Sequence, residues 1–435
     1  MKDRIKIANE FIDFISHSPT KYHAIDMVKQ KLLQDSYKRL FIDQTWELEA
    51  YGKYFIEQDN SAIIAFQLGE NRLSHLSEGI RLVCAHTDSP SFKVKPNADI
   101  KNSDGYMRLN IHSYAWPILS TWFDRPLSLA GRVALKDGIS LRPKMELLDL
   151  ESPIMIIPSN AFHLNKDKDR NGISKQKEML PILGVSHNED VAESVIKQLI
   201  ATQLQVRIED ILEFELFLYP VEHGRLVGIN SDFIVTPRQD DLVMVFAAMQ
   251  SMISSDPKDD CIKMVAFFDA EEETNSTVGG ADSPFLRNVL TKIVIGLNGD
   301  TEDVISLIDH SFMVSLDSAF AKHPNYSECF DLTCAPIMNK GVTIKYDANM
   351  HYATTALTSA IFQNICNRNN IPIQKEAKHS DVRGGGTISA FLQTQVEMKC
   401  VELGIPSWAV HSSYETCGSW DLYYLIKALS CFYRE

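Results

Sequence analysis

LVCAHTD (82–88) and MVAFFDAEEE (264–273) are short apolar runs that each end on side chains able to bind a metal ion, and FMVSLD (312–317) and SWAVHS (407–412) repeat the pattern. A continuous apolar run of strand length predicts a strand covered on both faces, as in a largely parallel sheet. Between the runs lie amphipathic stretches of helical length, among them DLVMVFAAMQSMISS (241–255) and ATTALTSAIFQNICNR (353–368). Strands alternating with helices predict an α/β fold, a mixed sheet flanked by helices. In such folds ligands bind beyond the carboxyl ends of the strands. The ends of these four runs are therefore where chemistry is expected.

The middle of the chain has a different texture. Strand-like pieces LSLAGRVAL (127–135), SPIMIIP (152–158) and ILEFELFLYP (211–220) surround a polar loop, NKDKDRNGISKQKE (165–178). This predicts a mainly-β domain over 98–222, inserted into an α/β domain formed by 1–97 and 223–435. The length of 435 residues also exceeds what one core usually supports.

Composition narrows the partners. The chain has 43 Lys and Arg against 57 Asp and Glu, a net charge of −14. Such a balance argues against nucleic acid and against anionic lipid, and favours a small-molecule or peptide partner. No apolar run approaches the roughly 18 residues of a spanning helix. The opening MKDRIKIANEFIDFI is charged throughout, and Ile7, Phe11, Phe14 and Ile15 fall at helical spacing, as in an amphipathic helix of the mature fold. Eight cysteines, none in a C-x-x-C pair, are too sparse for a disulfide framework. A cytoplasmic protein is expected.

Taken one at a time, the polar residues at the run ends have ordinary readings. His86-Thr87-Asp88-Ser89-Pro90 has the chemistry of a surface turn. Glu271-Glu272-Glu273 reads as a solvated loop, and Asp240-Asp241 as the acidic first turn of a helix. Taken together they converge. His86, Asp240, Glu272, Asp317 and His411 would meet at one sheet edge, a set of nitrogen and oxygen donors suited to zinc, with cobalt or manganese as alternatives. Three carboxylates and a bridging hydroxide balance two divalent ions, and one bridging carboxylate would hold them about 3.5–4 Å apart. A neighbouring carboxylate such as Glu271 would remain free as a general base.

With these residues in view, the chain closely resembles the aspartyl aminopeptidases, the eighteenth family of metallopeptidases. The resemblance runs from about residue 9 to about residue 430. It is carried by HTDSPSFKVKP (86–96), TWFDRPLSLAGRV (121–133), PRQDDL (237–242), FDAEEE (268–273), HPNY (323–326), SDVRGGGTI (380–388) and GIPSWAVHSSYE (404–415). It implies a dinuclear zinc exopeptidase fold with an inserted dimerisation domain, assembled into a tetrahedral dodecamer built from dimers. It also implies that His86 and Asp317 hold one zinc, Glu272 and His411 the other, and that Asp240 bridges. Glu271 would be the general base and acid, and Asp88 would orient His86. His163 would reach a neighbouring subunit's site, and His323 and Lys345 would line the substrate pocket.

The implied reaction removes N-terminal residues from peptides, Asp and Glu being preferred. Several positions depart from the family pattern. Asp241 stands where Asn is usual, Glu273-Thr274-Asn275 replaces Val-Gly-Ser, Ser389 replaces a glycine, and Tyr414 replaces an arginine. The added negative charge bears on acidic preference, and an aminopeptidase of neutral or apolar preference is the alternative. A carboxypeptidase or deacylase conflicts with the 121–133 and His163 segments. A non-catalytic scaffold conflicts with the presence of Glu271 and Asp88.

Overall fold

A computed structural model describes residues 2–70, 75–100, 105–136, 139–164, 172–185, 194–255, 261–382 and 384–435. Positions 165–171 of the polar loop and Arg383 of the 380–388 motif lie outside the described residues.

The run at 82–86 forms the strand Ile80–His86 near the centre of a nine-stranded mixed sheet. Parallel to it lie Ile262–Phe268 on one side and Phe312–Leu316 on the other, and Lys399–Gly404 pairs in parallel with the latter. These four parallel strands have their carboxyl ends at one edge. Antiparallel strands flank them, Ala62–Gln67 beside Ile262–Phe268 and Val342–Tyr346 beside Lys399–Gly404.

Alternation along each central strand divides the apolar residues between two cores. Val83, Ala85, Val265, Phe267, Val314 and Leu316 face one layer, formed by the helices Lys2–Ser16, Lys21–Gln34, Gln239–Ser254, Ala356–Arg368 and Ser419–Phe432. Leu82, Cys84, Met264, Ala266 and Met313 face the other, formed by Phe285–Gly296, Thr301–Asp309 and Ile388–Gln395. The sheet is thus dry on both sides, which explains why its strands read as unbroken apolar runs.

The middle segment builds a separate six-stranded antiparallel sheet. Its spatial order is Lys144–Asp149, Leu127–Leu135, Ile211–Pro220, Ser91–Ile100, Tyr106–Tyr114 and Ile182–Val185. The helix Val195–Leu204 buries Ile196 and Ile200 against it. Two strands begin and end where the sequence places them, 127–135 and 211–220. The segment 152–158 does not form a strand and makes only isolated bridges, Leu127 with Met155 and Ile156 with Ile182. Pro153 and Pro158 bracket it, and a proline has no amide to give to a ladder.

The fourth apolar run also departs from expectation. The main-sheet strand is Lys399–Gly404, and only Pro406–Trp408 of the 407–412 run is extended. That short strand belongs to a third, five-stranded sheet with Glu415–Gly418 and Phe233–Thr236. Ile405 and Pro406 end one sheet and start another, so His411 reaches the edge from a loop rather than from a strand end. Among the described residues no helix is long and apolar enough to cross a membrane.

Candidate metal centre

The donor side chains arrive from five segments. His86 is the last residue of its strand, Asp317 follows Phe312–Leu316, and Glu271 and Glu272 follow Ile262–Phe268 by a short turn. Asp240 sits at the start of the helix Gln239–Ser254, where its backbone is still non-helical and its peptide to Asp241 is cis. No side chain caps this helix end, and Asp240 Oδ1 has no hydrogen-bond partner among the described residues, so the carboxylate is not spent on capping. Several residues that turn the chain here have left-handed backbones without being glycine: Arg238 (φ 55°), Ala270 (φ 61°), Ala409 (φ 56°) and His411 itself (φ 69°). Each such residue costs on the order of 1–3 kcal/mol, and residues of this kind cluster where geometry serves a site.

The expected ligands converge. His86 Nε2 lies 3.7 Å from Asp240 Oδ1, while His411 Nε2 lies 3.8 Å from Asp240 Oδ2 and 3.2 Å from Glu272 Oε2. Asp240 thus offers one oxygen to each imidazole. Asp317 joins the His86 and Asp240 group, each offering one donor atom within 4.8 Å of the others. Glu271 Oε2 stands 3.8 Å from His86 Nε2.

Two tests ask whether this set suits metal. Donor atoms on one zinc at about 2.0–2.2 Å stand roughly 3.3–3.6 Å apart at a tetrahedral angle, close to the spacings seen. The buried atoms Asp240 Oδ1 and Glu272 Oε1 have no hydrogen-bond partner among the described residues. A buried carboxylate oxygen without a donor is costly, and a cation is the partner that removes the cost. The residues fit a divalent ion.

Charge crowding points the same way. Burial, reinforced by Asp317, Glu272 and Asp88, pushes the Glu271 carboxyl well above its ordinary value against the pull of His86. Burial likewise raises Glu272 to about 7. His411 is raised to about 10, because the Glu272 carboxylate outweighs the burial that would lower it. The cluster holds protons where a cation would replace them.

The surrounding hydrogen bonds are better developed than the sequence revealed. Asp88 is buried and links four donors. Its carbonyl lies 3.1 Å and its Oδ1 3.3 Å from His86 Nδ1, its two carboxylate oxygens accept the amides of Glu271 (3.1 Å) and Glu272 (3.2 Å), and its Oδ2 accepts from Tyr114 (2.7 Å). Burial alone would raise this carboxyl, but His86, Lys21 and Tyr114 outweigh it and hold it at about 2. Glu415, buried behind the site, accepts the amides of Asp240 (2.8 Å) and His411 (2.7 Å). Its one sequence signal is an acid four residues after His411. Asp241 accepts the His86 amide at 3.1 Å. Burial, with Asp317 and Asp240, raises its carboxyl well above the ordinary range against the pull of His86.

The remaining expected residues are placed differently. Lys345 is buried, and its ammonium donates to Asp317 Oδ2 (2.7 Å) and the Ser318 carbonyl (2.9 Å). His323 is half-buried and packs on Tyr326 and Trp408 at 4.8 and 5.7 Å. His163 is exposed in the single turn Phe162–Leu164, and no donor cluster among the described residues includes it. Tyr414 lies under Arg125, whose guanidinium sits 4.7 Å from the ring centre. Sequence reading missed Lys378, a half-buried lysine whose ammonium lies 4.2 Å from the Phe320 ring centre and 5.7 Å from that of Tyr352. Lys345 lies over the same Tyr352 ring at 4.7 Å. Among the described residues no carboxylate pairs with Lys378 within 4.0 Å.

A hydrolase that works with divalent metal is the class this sheet edge and donor set define. Residues 14–433 match the profile of the aminopeptidase I zinc metalloprotease family, M18. A probable M18 family aminopeptidase 2 of Clostridium novyi is 40% identical over the full length of both chains. Among solved structures, mApe1 of Chaetomium thermophilum superposes with a TM-score of 0.89 at 28% identity, covering 99% of this chain and 97% of that one. The mApe1 dodecamer of S. cerevisiae superposes at 0.84 and 26% identity, covering 99% and 96%. The chain belongs to the M18 family of zinc metalloproteases.

Proposed function

We propose that the chain is an aminopeptidase using two divalent ions, zinc foremost, to release N-terminal residues from peptides, with acidic residues preferred. The observation that carries the reading is Asp240, a buried carboxylate with one oxygen facing each of two imidazoles at 3.7 and 3.8 Å. His86 and Asp317 would hold one ion, Glu272 and His411 the second, and Asp240 both. Bound there, the ions would supply Lewis acidity toward the scissile carbonyl and make a water easier to deprotonate. Glu271, half-buried and of raised proton affinity, takes the proton from the attacking water and delivers it to the leaving amine. Asp88 holds His86 by Nδ1 and anchors the amides of both glutamates, so the base and its neighbour keep fixed positions.

The acidic preference rests on two lysines around Tyr352. Lys345 is already neutralised by Asp317, whereas Lys378 has no carboxylate within 4.0 Å among the described residues and would meet a substrate's side-chain carboxylate. The segment 98–222, with the strand that enters it from Ser91, would serve as the dimerisation domain. His163, far from its own cluster, would complete a second copy's site. A homo-oligomer, a tetrahedral dodecamer of dimers, follows from that reading and from the assembled relative. Six of the eight cysteines are buried, and unbridged thiols of this kind suit a reducing cytoplasm.

The test is a panel of aminoacyl substrates with metal analysis. Protein purified without chelator should carry close to two ions per chain and cleave N-terminal Asp and Glu fastest. Exhaustive chelation should abolish turnover, and zinc or cobalt should restore it. Full activity in metal-free protein overturns the reading.

A further inference from the structure

The strand Tyr106–Tyr114 belongs to the inserted sheet, yet the segment that leaves it, Tyr114 to Thr121, runs along both halves of the metal centre. Tyr114 donates its hydroxyl to Asp88 Oδ2 at 2.7 Å. The next amide, Ala115, donates to Glu273 Oε1 at 2.5 Å. The Trp116 carbonyl lies 3.1 Å from His411 Nδ1, and the Ile118 amide donates to the His411 carbonyl at 2.9 Å. Thr121 closes the segment, its hydroxyl oxygen and carbonyl accepting from the Ser413 amide (2.9 Å) and hydroxyl (2.6 Å). Ala115 itself has a left-handed backbone, φ 60°, which turns the chain so that consecutive residues face different partners.

These bonds have a directional consequence. A carbonyl can only accept, so Trp116 requires the proton of His411 to sit on Nδ1. That leaves the Nε2 lone pair aimed at Glu272 and Asp240, the direction a metal ligand needs. At the other imidazole Asp88 plays the same part with two acceptors, its carbonyl at 3.1 Å and its carboxylate Oδ1 at 3.3 Å from His86 Nδ1, and Tyr114 is the side-chain donor that fixes that carboxylate from the inserted sheet. Each terminal imidazole is therefore oriented by the same eight-residue segment, once directly and once through a carboxylate.

We propose that Tyr114–Thr121 is a clamp by which the inserted domain sets the metal affinity of both sites, with Tyr114 as a positioning residue for His86 and Trp116 for His411. The proposal rests on the metalloaminopeptidase reading. Tyr114 is not a catalytic residue: it touches neither the reacting atoms nor a metal donor, and acts through Asp88.

The test is Tyr114→Phe, which keeps the ring packed edge-on against Phe217 (5.7 Å) and deletes only the hydroxyl. Ion affinities are read by chelator competition and by the visible spectrum of the cobalt-loaded protein, and the melting temperature of the metal-free protein is recorded alongside. Loss of a ligand's orienting partner typically costs ten- to a hundredfold in affinity, and removing the hydroxyl that fixes that partner is expected at the low end of this range. One of the two ions should therefore bind at least about tenfold more weakly, with a shifted cobalt spectrum, unchanged metal-free melting, and activity regained at higher metal concentration. Thr121→Val, which removes the hydroxyl that receives the Ser413 amide, should weaken the other ion instead. Two ions bound by Tyr114→Phe as tightly as by the parent would overturn the clamp while leaving the metalloenzyme intact. Lower affinity accompanied by an equal loss of metal-free stability, with no recovery in excess metal, would also overturn it. A parent protein that takes up no divalent ion would instead remove the underlying reading.

Discussion

Replacing Lys378 by methionine should reduce acidic preference without disabling the enzyme. The methionine retains length and apolar contact with Phe320 and Tyr352 but removes the cation. Burial, aided by the neighbouring Lys345, holds the Lys378 ammonium below the ordinary lysine value, so this cation gains from an anionic partner. A carboxylate about 4 Å away in a part-solvated site is attracted by up to about 4 kcal/mol. After desolvation, a charge-assisted hydrogen bond retains roughly 1.5–3 kcal/mol, about ten- to a hundredfold in rate. The assay is kcat/KM on paired Asp and Leu aminoacyl substrates. The Asp-to-Leu ratio should drop at least about tenfold in Lys378→Met, with the Leu value little changed. Lys345→Met should behave differently, because it strips the 2.7 Å partner from Asp317, a proposed ligand. Both substrates should then suffer together, and metal should be held less tightly. An unchanged ratio in Lys378→Met would refute the assignment of this lysine to the substrate's side chain.

Three further outcomes are expected. Glu271→Gln should retain metal and lose at least about a hundredfold in activity, whereas Glu272→Gln should lose metal occupancy; metal analysis that reverses the two would exchange their roles. Mixed oligomers of His163→Ala and Glu271→Gln chains, each inactive alone, should regain activity because some sites then contain both residues; verified hybrids without activity would argue against a shared site. Glu215 links Lys93 and Arg132, accepts from the Tyr22 hydroxyl, and is held at about 2 against an ordinary 4.5, since these cations outweigh the burial that would raise it. A lowered carboxyl stabilises above its unfolded value and loses that contribution as the pH falls toward its folded one. Glu215→Gln should therefore cost about 1–2 kcal/mol near pH 7, after allowance for solvent screening. In urea unfolding that difference should shrink by more than half by about pH 3, and a gap independent of pH would refute the ionic origin.

His86, Asp317 and the Glu271–Glu272 pair were legible because each follows a run buried on both faces, and period and burial fix where such a strand ends. That His411 joins the donor cluster was legible but its support was not, since Ile405 and Pro406 carry the chain from one sheet into another and the apolar signal passes through the break without change. Glu415 and Tyr114 were invisible as participants. Their work is done by hydrogen bonds to residues distant in the chain, and nothing in a Tyr or a Glu announces its partner. Lys378 stands among Glu376, His379, Ser380 and Asp381, a stretch that reads as solvent-facing. Lys345 was expected to line the substrate pocket, but the Asp317 carboxylate, at the end of a strand two places away in the sheet, pairs with it.

The central strand Ile80–His86 receives its two neighbours, Ile262–Phe268 and Phe312–Leu316, only after the whole of the inserted sheet has been spelled out. On the ribosome, then, a strand buried on both faces emerges long before its two sheet neighbours exist. The antiparallel sheet from Ser91 to Pro220 has all of its pairing partners within reach and can close first. Its closure draws the exit of the early strand and the entry to the later helix toward each other, which shortens the effective loop across which the parallel pairs must find one another. The insertion thereby acts as a splint during synthesis, and cells lacking chaperones for nascent chains should aggregate this protein through the stretch before Ser91 rather than through the insertion.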